Sequence, residues 1–139
     1  MNASRKTALA TLAAALLAVA SLATPAWAKP PKDMDGERMG AAQLTLGASA
    51  KDSLSASDAS DWRYVKLTKG GVLSVELTTS NKDAVLTFQL IDSTGAVIES
   101  EDKATGGLKL KRKLDAGIYY LHVSCAQALQ YELKATVAP

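Results

Sequence analysis

The chain has 139 residues, 22% of them charged, and a formal net charge of +2. Arg5 and Lys6 supply that excess, because all fourteen acidic residues lie after Ala28 together with the other fourteen basic ones. The neutral remainder lacks the basic character of a nucleic-acid-binding domain, and the single cysteine, Cys125, excludes an intrachain disulfide.

The first residues read as a secretory signal: basic Arg5 and Lys6, an apolar run over 8–22, and a small-x-small end at Ala26-Trp27-Ala28. Cleavage is expected after Ala28. The apolar run is shorter than the roughly 20 residues a membrane span needs, and no cysteine follows it closely enough for a lipid-modified terminus. The mature chain is therefore expected in the periplasm or outside the cell, without a membrane span. Removing the first 28 of 139 residues leaves 111, room for one domain.

Residues 29–42 contain two prolines, several charges and no apolar periodicity, and read as a flexible linker ahead of a domain over 43–139. Short apolar runs then recur between turn residues, which predicts an all-β, antiparallel β-sandwich, jelly-roll-like, of about eight strands. A first strand is expected over 43–47, followed by a Ser/Ala/Asp-rich connection over 48–60 and a strand over 62–68. Lys69-Gly70-Gly71 reads as a hairpin turn into 72–79, where Leu73, Val75 and Leu77 alternate with Ser74 and Glu76. Strands over 85–91 and 96–100 flank Asp92-Ser-Thr-Gly95, and 101–106 reads as an exposed loop. The last three strands are expected over 107–114, 118–125 and 129–137.

Several of these pieces, in order, resemble the bacterial pre-peptidase C-terminal domain, a small β-sandwich appended to secreted proteases. They are Leu44-Thr-Leu-Gly47 with Leu54; Asp61-Trp62 before Val65 and Leu67; Gly70-Gly71 before Leu73, Val75 and Leu77; Leu86, Phe88 and Leu90 before Asp92-Ser-Thr-Gly95; and Asp115-Ala-Gly-Ile-Tyr-Tyr-Leu-His-Val123 with Tyr131-Glu-Leu133. The resemblance covers nearly all of the mature chain and implies a free-standing accessory domain with no enzyme attached. Arg63 stands where the family has an aromatic residue, which implies a solvated rather than buried start to that strand. Some members bind calcium near the domain start, through ligands not matched residue by residue here.

Calcium is thus the one cofactor to weigh, and it needs six to eight oxygens. Asp52, Asp58 and Asp61 are the metal candidates, although Asp and Ser in a connection are ordinarily turn formers. His122, the sole histidine, falls on the face opposite Leu121 and Val123 and reads as a surface residue. No Gly-x-Ser-x-Gly and no zinc-type His/Cys cluster occurs, so no catalytic residue is named. Lys109, Lys111 and Lys113 put three ammonium groups on one strand face. They either blunt a sheet edge against aggregation or form a basic stripe for a partner. Trp62 and Tyr64 share the phase opposite Val65 and Leu67, free to stack on a ligand or to be covered by a further layer. Cys125 reads as a small buried hydrophobe or an intermolecular thiol. The functional expectation is a non-enzymatic binding or accessory module for an envelope protein or an extracellular protein or polysaccharide. A calcium-dependent carbohydrate- or protein-binding module is the alternative.

Overall fold

A computed structural model describes residues 37–139; the signal over 1–28 and most of the linker lie outside the described residues. Nine strands form two sheets. They are β1 (Ala42–Gln43), β2 (Ser49–Leu54), β3 (Ser60–Leu67), β4 (Gly71–Thr79), β5 (Val85–Asp92), β6 (Val97–Thr105), β7 (Gly107–Leu114), β8 (Gly117–Ser124) and β9 (Leu129–Ala138). One sheet has the order β1-β3-β8-β5-β6 and the other β2-β9-β4-β7. All pairings are antiparallel except the short parallel contact of β1 with β3.

From β2 onward the chain changes sheet at every connection but one, the β5–β6 hairpin. This alternation is the jelly-roll topology, and it removes the hairpin expected at Lys69-Gly70-Gly71. That turn is a corner between sheets. A Cβ on Gly71 would stand 2.4 Å from the Ala138 carbonyl oxygen, so glycine lets β4 start hard against the end of β9.

The two inner faces carry the alternating residues. Val65 and Leu67, Leu86, Phe88 and Leu90, and Leu121 and Val123 meet Leu73, Val75 and Leu77, Leu129, Tyr131 and Leu133, and Leu110 and Leu114, all buried. Each fully buried large apolar side chain contributes roughly 1.5–3 kcal/mol. Cys125 extends the β8 phase inward, with its thiol donating to the Val85 carbonyl oxygen at 3.2 Å.

Three expectations about elements change. Residues 48–60, read as a connection, contain β2, whose inward phase is Ala50, Asp52 and Leu54. A carboxylate at a core position erased the alternation that would have revealed it. Residues 101–106, read as a loop, mostly continue β6, an edge strand with two bulges in its pairing to β5 and with Lys103 at φ 95°. Such a strand has polar residues in both phases. Residues 38–42, read as linker, hold a 3-10 turn (Arg38–Gly40) and the first residue of β1, whose Ala42 is in register with Arg63, while only Gln43 of the strand expected over 43–47 is in a strand. Among the described residues no helix is long and apolar enough to cross a membrane.

Candidate functional site: an aromatic sheet face

The outer face of the five-stranded sheet carries Trp62 and Tyr64 from β3, and the cross-strand register places His122 opposite Trp62 and Tyr120 opposite Tyr64. The Trp62 and His122 rings stack at 4.1 Å between centroids and 19° between planes. Tyr120 meets Trp62 edge-on at 6.4 Å and Tyr64 at the same separation with a 57° tilt. All four rings are half-buried. Period-two alternation on two paired strands is enough to gather them, because outward positions on neighbouring strands are about 5 Å apart.

Hydrogen bonds from neighbouring residues of the same sheet fix the platform from the side. The His122 Nε2 lies 2.8 Å from the Ser60 hydroxyl, and Nδ1 lies 3.3 Å from Gln89 Oε1. An amide oxygen can only accept, so Nδ1 carries the proton and Nε2 accepts from Ser60. Burial holds the imidazole below its ordinary pKa of 6.5, which favours that neutral form. Tyr64 donates to Gln43 Oε1 at 3.3 Å. At the rim, the Arg38 guanidinium stands 5.6 Å above the Tyr120 ring. Its Nη1 lies 2.7 Å from where a Cβ on Gly95 would sit, at a residue whose φ is +96°. The turn bearing Gly95 is shaped by Asp92, whose Oδ1 accepts from Thr94 N, Thr94 Oγ1 and Ala96 N. Those bonds, led by the Thr94 hydroxyl, hold the Asp92 carboxyl below its ordinary pKa.

Ser60, His122 and Gln89 resemble the order nucleophile, base, orienting group, a constellation the sequence did not reveal because three strands contribute it. The surroundings do not complete an acyl-transfer site. Gln89 replaces a carboxylate, and backbone N–H groups of paired strands lie in the sheet plane instead of converging above Ser60. The arrangement orients His122 and, through it, Trp62.

The metal candidates have other placements. Asp52 accepts from Arg63 Nη2 at 2.5 Å, an ion pair from β2 to β3 across the two sheets. Asp61, fully buried, accepts from the Tyr131 hydroxyl at 2.5 Å, a second tie across the sheets. Burial first, and then the Asp61 charge, push the Tyr131 phenol far above its ordinary pKa. Asp58 lies in the turn between β2 and β3, where its backbone N–H and C=O both bond Ser55. Among the described residues no three His, Cys, Asp or Glu side chains are grouped to hold a metal ion. The start of β3, expected in solvent, is therefore interior: Asp61 and Arg63 share the phase of Val65 and Leu67 and are balanced by polar partners from the facing sheet.

Lys109, Lys111 and Lys113 lie on β7, an edge strand, on the outer face of the other sheet. The structure thus separates the five partner-binding candidates onto opposite faces of the sandwich.

The sequence matches no protein-family profile and no curated protein. Its fold does have solved counterparts. The pre-peptidase C-terminal domain of a collagenase from Bacillus anthracis superposes with a TM-score of 0.61 at 17% identity, over 69% of this chain and 94% of that one. A surface-associated copper-binding protein important in copper acquisition by Methylomicrobium album BG8 superposes at 0.53 and 11% identity, over 70% and 98%. The described chain is an all-β sandwich with the fold of a pre-peptidase C-terminal domain.

Proposed function

We propose that the protein is a non-enzymatic binding module, exported to the periplasm or the cell exterior, that engages an envelope protein or an extracellular polymer through the aromatic face of its five-stranded sheet. The observation carrying this reading is the Trp62–His122 stack, with Tyr64 and Tyr120 beside it, held by Ser60 and Gln89. Rings locked before contact lose little entropy on binding, which is why preorganised aromatics make strong anchors. The shared fold with a protease-associated domain and with a copper-binding surface protein supports a binding role over a catalytic one.

The test is retention of envelope proteins and insoluble polysaccharides by immobilised protein, comparing wild type with Trp62→Ala and Ser60→Ala. Trp62→Ala is expected to weaken retention of a specific ligand by tenfold or more, consistent with an anchor worth about 2 kcal/mol. Ser60→Ala is expected to retain most binding, since it removes one hydrogen bond of roughly 1 kcal/mol at the edge of the His122 ring. Equal retention by wild type and Trp62→Ala would remove the aromatic face from the interaction. Ester or amide hydrolysis lost in Ser60→Ala would establish an enzyme instead.

A further inference from the structure

The zero net charge beyond Ala28 conceals a separation of charge. On the outer face of the four-stranded sheet the cross-strand rows read Lys113–Val72, Lys111–Ser74–Thr136, Lys109–Glu76–Lys134 and Thr78–Glu132–Lys51. Five lysines share that face with two glutamates, Glu76 and Glu132, an excess of three positive charges. Glu76 pairs with Lys109 at 3.1 Å. Among the described residues Lys111, Lys113 and Lys134 have no carboxylate within ion-pair distance. A shallow depression lies among them, where Lys109, Lys111 and Lys134 surround Ser74, Thr136 and the one carboxylate in its lining, Glu76.

Edge protection explains only part of this pattern. Lys109, Lys111 and Lys113 are on β7, where ammonium groups deter strand addition. Lys134 is on β9, which is hydrogen-bonded on both sides and has no edge to protect.

We infer that this face binds a linear anionic polysaccharide, with an anionic group seated over Ser74 and Thr136 between Lys111 and Lys134, where the lysines outnumber Glu76. The inference is independent of the aromatic-face reading. Charge complementarity sets the sign of the ligand, and the hydroxyls of Ser74 and Thr136 add hydrogen-bond donors at the base of the depression. The side-chain type points to recognition by charge and spacing. Arginine, whose planar fork reads carboxylate and phosphate geometry alike, is missing from this face; Arg112 is in the opposite phase and reaches Glu99 at 3.7 Å. Ammonium groups act as point charges and tolerate many orientations of an anionic group. Geometry points to a linear polymer, because lysines two residues apart repeat at about 6.7 Å along a strand. A flat row of that kind meets several charges of an extended chain but only one of a compact anion. Val72, half-buried, is the sole large apolar side chain in these rows, so the face offers little to enter a bilayer.

The experiment measures binding of the full-length protein to soluble polygalacturonate, with neutral dextran as control. The variants are Lys111→Glu with Lys134→Glu, and Lys113→Gln alone. Wild type is expected to bind polygalacturonate and not dextran, and to lose most affinity between about 50 mM and about 500 mM salt as screening shortens the reach of the charges. The double charge reversal is expected to weaken binding by tenfold or more, with its melting curve unchanged because both lysines are exposed. Lys113→Gln, at the margin, is expected to weaken it by about twofold to threefold. No binding by wild type at low salt, equal binding by the double variant, or equal binding to dextran would each overturn the inference. Tighter binding to anionic phospholipid vesicles than to polygalacturonate would overturn it in favour of a membrane surface. Absent binding, together with aggregation of the charge-reversed protein, would leave edge protection as the lysines' role.

Discussion

The two outer faces of this sandwich arise from the same period-two alternation, yet they hold their side chains in opposite ways. On the five-stranded sheet, rings are half-buried, stacked and hydrogen-bonded to polar neighbours on the same sheet. On the four-stranded sheet, lysines stand in solvent and the Lys109–Glu76 ion pair joins two well-exposed side chains. A locked face concentrates its contribution in a few positions, whereas a field of mobile charges distributes it over many. Single substitutions should therefore be severe on the first and mild on the second.

That contrast presupposes that the sheets are held in register, and the largest expected effect tests this. Arg63→Ala removes the ion pair to Asp52 between the sheets and is expected to destabilise the fold by about 3 kcal/mol, since breaking a largely buried pair leaves a charge behind. Tyr131→Phe removes a donor from the fully buried Asp61 and is expected to cost about 1–3 kcal/mol. Denaturant melts measure both. Losses within about 0.5 kcal/mol of wild type would mean that apolar packing alone sets the register.

A smaller effect separates the faces by pH. His122 binds its proton more weakly in the folded state than in the unfolded one. Its contribution is therefore fully present above the unfolded value of 6.5 and is lost as pH falls from there toward the lower folded value. The melting temperature should fall with acidification through that window, and His122→Gln should flatten this part of the profile. Ligand retention by the aromatic face should weaken over the same window while polygalacturonate binding persists, since the chain's one histidine, His122, lies on the opposite face. Parallel loss on both faces would show that acid acts on the whole fold.

The smallest expected effect is that of calcium. Asp52 and Asp61 already face Arg63 and Tyr131, so melts with calcium and with chelator are expected to coincide. An upward shift with calcium would favour the calcium-dependent reading and direct mutagenesis to Asp52, Asp58 and Asp61.

Much of this architecture is legible along the chain because strand side chains report their face every second residue. Val72 to Thr79 and Ile118 to Cys125 announce themselves, and Leu73, Val75, Leu77, Leu121, Val123 and Cys125 in their inward phases are buried, with Tyr119 half-buried. Legibility fails where a polar residue occupies a core position. Asp52 hid β2, and Arg63 suggested a solvated strand start, because each is balanced by a partner on the facing sheet. Trp62 and Tyr64 were recognisable as outward aromatics, but Tyr120 and His122 join them only through the register of β3 with β8. The stripe on β7 was equally plain, and Lys134 joins it only through the pairing of β4 with both β7 and β9.

Alternation and turn chemistry by themselves determine that this chain makes an all-β sandwich and which residues point inward on most strands. Those signals are local, arising from the two-residue pleat and from side chains bonding their own backbone. Strand order, the sheet-to-sheet corner at Gly70-Gly71, the Asp52–Arg63 and Asp61–Tyr131 ties, and the division into an aromatic and a cationic face belong to the tertiary structure. They depend on contacts between residues far apart in the chain, and no local pattern encodes which distant strand will lie alongside.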